Sequence, residues 1–446
     1  MFRRKILAMS QNLRWQPAFL GNRIRILIIV SIGFSITLAS FFAFSDGSKA
    51  QNPNSCIACH SGLEARLSDP IKSFEHDIHK SKGLSCQDCH GGNPAASDKA
   101  AAKAVIWGYV GRPTTAQIPA FCGKCHSDAE LMKKFNPSLR VDQVQEYFTS
   151  VHGNKLRGGD QNVATCVSCH GVHGIRAPSD PLSSVYPLNV AETCAKCHAN
   201  AEHMAGYGIP HDQFDKYKSS VHAAALYEKH DLSAPTCNDC HGNHGAVPPG
   251  LASVANVCGQ CHARQAELFQ KSAHKLPFEK MNTGECLTCH GNHAIAKPTD
   301  KMIGTESGSI CIACHQNDAG FAAAGRIGKG LGELQSNIDG AKEILESAER
   351  AGMEVSRPKF ELSDAVDGLT QARVLLHSSN VEDVEKALSP AMEVAAKSHA
   401  AGIAAFEELS FRRAGLAVSL VFILFLALLV YLKVRQIEGR PPFADK

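Results

Sequence analysis

The apolar pattern along the chain changes character several times. Ile26–Phe44 and Ala414–Leu432 are two 19-residue runs of apolar and small residues, each long enough as a helix to cross a bilayer. Between them, Leu331, Leu334, Ile338, Ala341, Leu345 and Ala348 recur at alternating steps of three and four, the stripe of a helix packed in a bundle. Ala365, Leu369, Ala372 and Leu376 make a second stripe, and Val384, Leu388, Ala391, Ala395 and Phe406 a third. Gly352 and Pro358 bracket the turn between the first two helices. Asn380 with Asp383 predicts a cap for the third, Pro390 a kink within it, and its end runs into the second apolar run. Residues 51–319 show no sustained period, which predicts short helices and loops.

The chain therefore divides into residues 1–50, a signal peptide or N-terminal anchor; 51–319; a helical stalk at 320–412; a transmembrane helix at 413–433; and a tail at 434–446. Residues 1–25 hold Arg3, Arg4, Lys5, Arg14, Arg23 and Arg25 and no acid. Ser48-Lys49-Ala50 offers small residues at both positions of a cleavage site, so removal after Ala50 is expected, with an uncleaved anchor as the alternative. Arg412 and Arg413 precede the second run, and Lys433, Arg435 and Arg440 follow it. This charge balance is too even to orient the helix.

Chemistry enters with cysteine. All 18 cysteines fall into nine Cys-x-x-Cys-His pentapeptides: Cys56 and Cys59, Cys86 and Cys89, Cys122 and Cys125, Cys166 and Cys169, Cys194 and Cys197, Cys237 and Cys240, Cys258 and Cys261, Cys286 and Cys289, and Cys311 and Cys314. Two thiols three residues apart share one helical face and can reach both vinyl groups of one porphyrin. The histidine that follows then presents its imidazole to the iron. Structural zinc would need two such pairs meeting, and would not need histidine at one offset nine times. The pattern implies nine covalently bound haem c groups, with His60, His90, His126, His170, His198, His241, His262, His290 and His315 as proximal ligands. Roughly 29 residues per motif is too little chain for a separate aliphatic core around each porphyrin, so the haems themselves must form the core. The expected fold is mainly α, with little regular structure around stacked haems, then the helical bundle stalk and the C-terminal transmembrane helix.

The motif sits in a larger repeat. His170-Gly171-Val172-His173, His241-Gly242-Asn243-His244 and His290-Gly291-Asn292-His293 extend three copies to Cys-x-x-Cys-His-Gly-x-His. A Ser-x-His precedes each, ending at His152, His222 and His274, and a plainer motif follows each, at Cys194, Cys258 and Cys311. Cys86 and Cys122 read as a diverged copy, with His76 and His79 before it and Gly91-Gly92 in place of Gly-x-His; Cys56 stands alone. A histidine three residues beyond a proximal ligand points away from its own porphyrin and toward a neighbour. The predicted distal ligands are therefore His79, His152, His173, His222, His244, His274 and His293, with His76, His203, His211 and His377 as further candidates, and His230 and His399 weaker ones. Only Met132, Met204, Met281 and Met302 lie among the motifs, so histidine must supply the second ligands, which implies low potentials and closed irons.

Charge narrows the partners. The formal net charge of +3 hides +6 in residues 1–50 and −3 beyond them. Two propionates per haem make the mature protein acidic, which excludes a nucleic-acid binder.

Tyr147-Phe148-Thr149-Ser150-Val151-His152-Gly153, Cys166–His173 and the parallel stretch from Ser220 to His244 resemble multihaem cytochromes c of the doubled-CxxCH, cytochrome c3-like class. The resemblance covers residues 55–315. It implies a periplasmic electron carrier of anaerobic respiration, on the bacterial cytoplasmic membrane, with membrane-embedded quinone oxidoreductase subunits or other cytochromes as partners. Thioether attachment occurs outside the cytoplasm, so the haem domain is expected to be periplasmic and the C-terminal tail cytoplasmic, with the bilayer contacted through the C-terminal helix. An electron conductor is the first reading. A terminal reductase of nitrogen or sulfur oxyanions and a quinol dehydrogenase subunit are the alternatives.

Overall fold

The computed structural model describes residues 54–248 and 254–439. The expected signal or anchor, its cleavage after Ala50 and the end of the C-terminal tail lie outside the described residues. Within them the protein is mainly helical and has no strand. Contacts divide it into two units, residues 1–72 with 84–111 and residues 73–83 with 112–446.

In the first unit, two motif-bearing helices, Ser55–Ser61 and Cys86–His90, are tied at their N-termini. Asn54 accepts from the Cys56 N–H and donates to Ser85 Oγ at 2.8 Å and Gln87 Oε1 at 3.0 Å. Gly91 ends the second helix at φ +68°, and a Cβ there would lie 2.0 Å from the Gly108 carbonyl oxygen. Only glycine meets both conditions.

The second unit has two kinds of interior. Its helices up to residue 302 are short, and their aliphatic clusters small: Tyr147, Leu156 and Val163 make one, Ala191, Tyr217 and Ala223 another. From Ala319 onward a three-helix bundle takes over, with helices Ala319–Arg350, Ser356–Leu375 and Val381–Glu438. Asp318 and Asn380 cap the first and third through their side chains. The first and third helices run parallel, with Gly330 against Leu388 and Gly402 against Ile344; the second runs back between them. The stripe from Leu331 to Ala348 is fully inside, as are Ala365, Leu369 and Ala372. Each buried leucine here contributes roughly 1.5–3 kcal/mol of transfer free energy.

Two expectations change. Phe406 is 37% exposed, and Ala405 is the buried residue. The buried positions of the third helix continue Ala395, Ser398, Gly402, Ala405, and that phase carries position 406 outward. Pro358 lies inside the second helix near its start, so the turn closes before it, with Gly352 at φ +85°. The third helix contains Pro390 and is 58 residues long in all, about 87 Å. From Phe411 to Ile437 its large apolar side chains are exposed, and it is long and apolar enough to cross a membrane.

Candidate haem-binding sites

Local sequence explains how each motif is presented. Cys86–His90, Cys166–His170 and Cys237–His241 are five-residue helices. Ser85, Thr165 and Thr236 open them with reciprocal capping boxes, and Gly91, Gly171 and Gly242 close them at positive φ. One turn brings both cysteines and the histidine to one side, and the glycine reverses the chain at once. The plainer motifs at Cys122 and Cys194 instead end longer helices, Ile118–His126 and Pro187–His198. Cys311–Ala313 is a 3₁₀ turn.

The second unit brings histidines together in pairs. Ring centroids lie 6.0 Å apart for His79 and His126, 6.1 Å for His152 and His198, and 6.1 Å for His170 and His244. The separations are 6.4 Å for His222 and His262, 5.9 Å for His241 and His293, 6.0 Å for His274 and His315, and 6.2 Å for His290 and His377. Two imidazoles sharing one metal, with bonds of about 2 Å on each side, place their centroids about 6.2 Å apart. The pairs thus fit an iron held between two axial histidines.

The pairing follows two rules. The Ser-x-His histidine faces the plainer motif of its own repeat: His152 with His198, His222 with His262, His274 with His315. The Gly-x-His histidine faces the Gly-x-His motif of the preceding copy: His244 with His170, and His293 with His241. Backbone bonds enforce this register. Val151 N–H donates to the Ala246 carbonyl and Val221 N–H to that of Ile295, each time joining a Ser-x-His to the following copy. Ile78 N–H bonds Ile175 in the same way, so Asp77-Ile78-His79 is the diverged Ser-x-His, with Asp77 as its cap.

Burial keeps the rings neutral. His126, His152, His170, His198, His222, His274, His290 and His293 all titrate below the ordinary imidazole range, because desolvation penalises the cation and neighbouring imidazoles add repulsion. Neutral imidazole is the ligating form. Several rings also donate Nδ1–H to a fixed acceptor, which leaves Nε2 for a metal: His60 to the Leu67 carbonyl at 3.1 Å, His241 to Val247 at 3.2 Å, and His377 to Val374 at 2.9 Å. His90 Nδ1 lies 3.3 Å from the carbonyls of both Val110 and Gly111.

The thiols set the order of the sites. The free thiols of Cys122 and Cys166, of Cys194 and Cys237, and of Cys258 and Cys286 lie close enough to shift one another's ionisation, first cysteine to first cysteine. Cys169 feels Cys194 and Cys197, Cys240 feels Cys258 and Cys261, and Cys289 feels Cys311 and Cys314. These mutual influences run through all seven motifs of the second unit in chain order. In the first unit Cys56 and Cys86 interact likewise.

Among the described residues His76, His203 and His211 join no imidazole pair, and His203 packs on Tyr207 instead. His173 sits at φ +56°, directly after its motif. Sequence reading missed the tyrosine struts. Tyr147 donates its hydroxyl to the Ala164 carbonyl at 2.8 Å and Tyr217 to that of Pro235 at 3.0 Å. Each ties the segment before a Ser-x-His to the residue ahead of its own motif's cap. The shared offset, five residues before the histidine, was the available signal. Also missed were Asp318, Gly320 and Ser379, which surround the last pair.

Residues 78–203 match the cytochrome c3 family, and residues 279–320 match the doubled CXXCH motif family. The multiheme cytochrome MtrA of Shewanella baltica is 27% identical over 314 residues, 68% of this chain and 78% of that one. The C-type polyheme cytochrome OmcC of Geobacter sulfurreducens is 23% identical over 315 residues, 56% of this chain but 38% of that one. No solved structure matches the chain.

Proposed function

For a multihaem c-type cytochrome with cytochrome c3 and doubled CXXCH segments, we propose the role of a nine-haem conductor on a membrane, relaying electrons outside the cytoplasm. The haems supply one-electron redox chemistry. The chain attaches them at its nine motifs and closes seven irons with the pairs His126–His79, His198–His152, His170–His244, His262–His222, His241–His293, His315–His274 and His290–His377. The observation that carries this reading is the set of seven imidazole pairs at metal-sharing separation, which belong to successive motifs whose thiols influence one another in chain order. The seven sites closed by two imidazoles pass electrons and leave no position for a substrate, which favours conduction over a terminal reductase along that series.

The C-terminal helix serves as membrane anchor in this reading, with its last residues on the cytoplasmic face. From Val381 to Ala414 it climbs about 50 Å, so the bundle holds the last haem sites well away from the bilayer. That distance favours electron entry through a partner, a quinone oxidoreductase subunit or another cytochrome, over quinol oxidation by this chain.

Intact mass and absorption spectra test the core of the proposal. Nine haems per chain, all low-spin when oxidised, are expected; a smaller number, or a high-spin fraction that responds to nitrite or sulfite, would overturn it. Truncation after Arg413 should release a fully coloured protein from membranes, and retention of the truncated form in the membrane would remove the anchor.

A further inference from the structure

Two of the paired histidines bond a carboxylate through Nδ1, and they belong to the first and last pairs of the seven-motif series. His79, which faces His126, bonds Asp77 Oδ1 at 2.8 Å. His315, which faces His274, bonds Asp318 Oδ2 at 2.8 Å. Between them, His241 and His377 bond backbone carbonyls, which are neutral. Glu146 comes within 3.9 Å of His244 Nδ1, too far for a hydrogen bond, and Arg140 already holds it.

A carboxylate that accepts from Nδ1–H raises the electron density at Nε2. The ring becomes a stronger donor to iron and favours the ferric over the ferrous state. The effect grows where water cannot screen the charge. Asp77 is buried, and its Oδ2 also accepts from the Ile175 N–H at 2.9 Å. The Asp318 side chain is half-exposed.

We propose that Asp77 and Asp318 are positioning residues that lower the reduction potentials of the haems at the two ends of the series, at Cys122 and Cys311. This rests on the haem reading above. Each end then donates electrons more readily than the same site with a neutral acceptor would, which suits places where electrons leave the line.

Both aspartates are also helix caps: Asp77 accepts from the His79 N–H and Asp318 from that of Phe321. Asparagine keeps one acceptor oxygen: at 77 it can still cap and accept from His79 Nδ1–H while the Ile175 bond is lost, and at 318 it serves either the Phe321 cap or His315, so Asp→Asn removes the charge together with one hydrogen bond. The experiment is an optical and electron-paramagnetic redox titration of the full-length holoprotein, with haem content measured in parallel. Asp77→Asn should raise one component by at least a tenfold change in its one-electron equilibrium, 59 mV. Asp318→Asn should raise one component by less, the same one that His274→Met displaces, and Asp318→Glu should restore it toward the native value. Full haem content with unchanged titrations would overturn the tuning role and leave the haem reading standing. A shift in Asp318→Glu as large as in Asp318→Asn would overturn it as well. A native protein short of nine haems would overturn the haem reading, and this proposal with it.

Discussion

The imidazoles of His290 and His377 lie 6.2 Å apart and within 17° of parallel. His290 belongs to the last Gly-x-His motif. In earlier copies the partner comes from the next Gly-x-His, as His244 does for His170 and His293 for His241. No further copy follows Cys311, and a 3₁₀ turn of the bundle, Leu376–Ser378, stands in for it. The same turn leads to Ser379, whose Oγ meets His274 Nδ1 at 2.7 Å. The stalk is thus built into the last two sites.

Replacing His377 with alanine should therefore change one haem and spare the rest. Absorption and electron-paramagnetic spectra of the oxidised protein should show a single high-spin component, reversed by added imidazole. A wholly low-spin spectrum would remove His377 from the ligand set.

Gly320 offers a test of packing at the last site. It lies in the first turn of a 32-residue helix, where alanine ordinarily stabilises by roughly 0.5–1 kcal/mol. A Cβ there would come within 2.1 Å of His315 Nδ1. Gly320→Ala should reverse the usual sign, costing about 1–3 kcal/mol, and should alter one low-spin signal. Denaturant unfolding and electron-paramagnetic spectra would check both effects.

The tyrosine struts predict an alkaline weakness. Burial pushes the Tyr147 hydroxyl up to about 12, and Tyr217 is raised for the same reason. The unfolded phenol ionises near pH 10. A group whose folded value is the higher one gives its full stability below pH 10 and loses it as pH climbs through 10 to 12. Tyr147→Phe should be less stable at pH 8 by about 0.5–1.5 kcal/mol, yet its stability should fall less steeply between pH 10 and 12. Unfolding curves at pH 8 and pH 11, followed by haem absorbance, would show it.

Within the bundle, Leu334 is fully buried. Leu334→Ala should cost about 2–5 kcal/mol of bundle stability. Haem content should be unchanged, and thermal unfolding followed by far-UV dichroism should register the loss.

The sequence by itself was enough for whatever depends on neighbours along the chain. Thiols at three-residue spacing with the next residue histidine, a 3–4 stripe of Leu, Ile and Ala, and 19 apolar residues in a row are local patterns, and local geometry dictates what they form. Phe406 marks the limit even there, because a small drift in helical phase over eighteen residues from Leu388 turns it outward. The choice among spare histidines was a different kind of question. His203 and His377 look equally isolated in sequence, yet one packs on Tyr207 and the other faces His290 across 87 residues. Only the tertiary structure could decide between them, since register between repeats is set by backbone bonds such as Val151 to Ala246 and by where the bundle docks. Asp318 tells the same story: its sequence reads as a helix cap, and folding alone brings its second oxygen to His315.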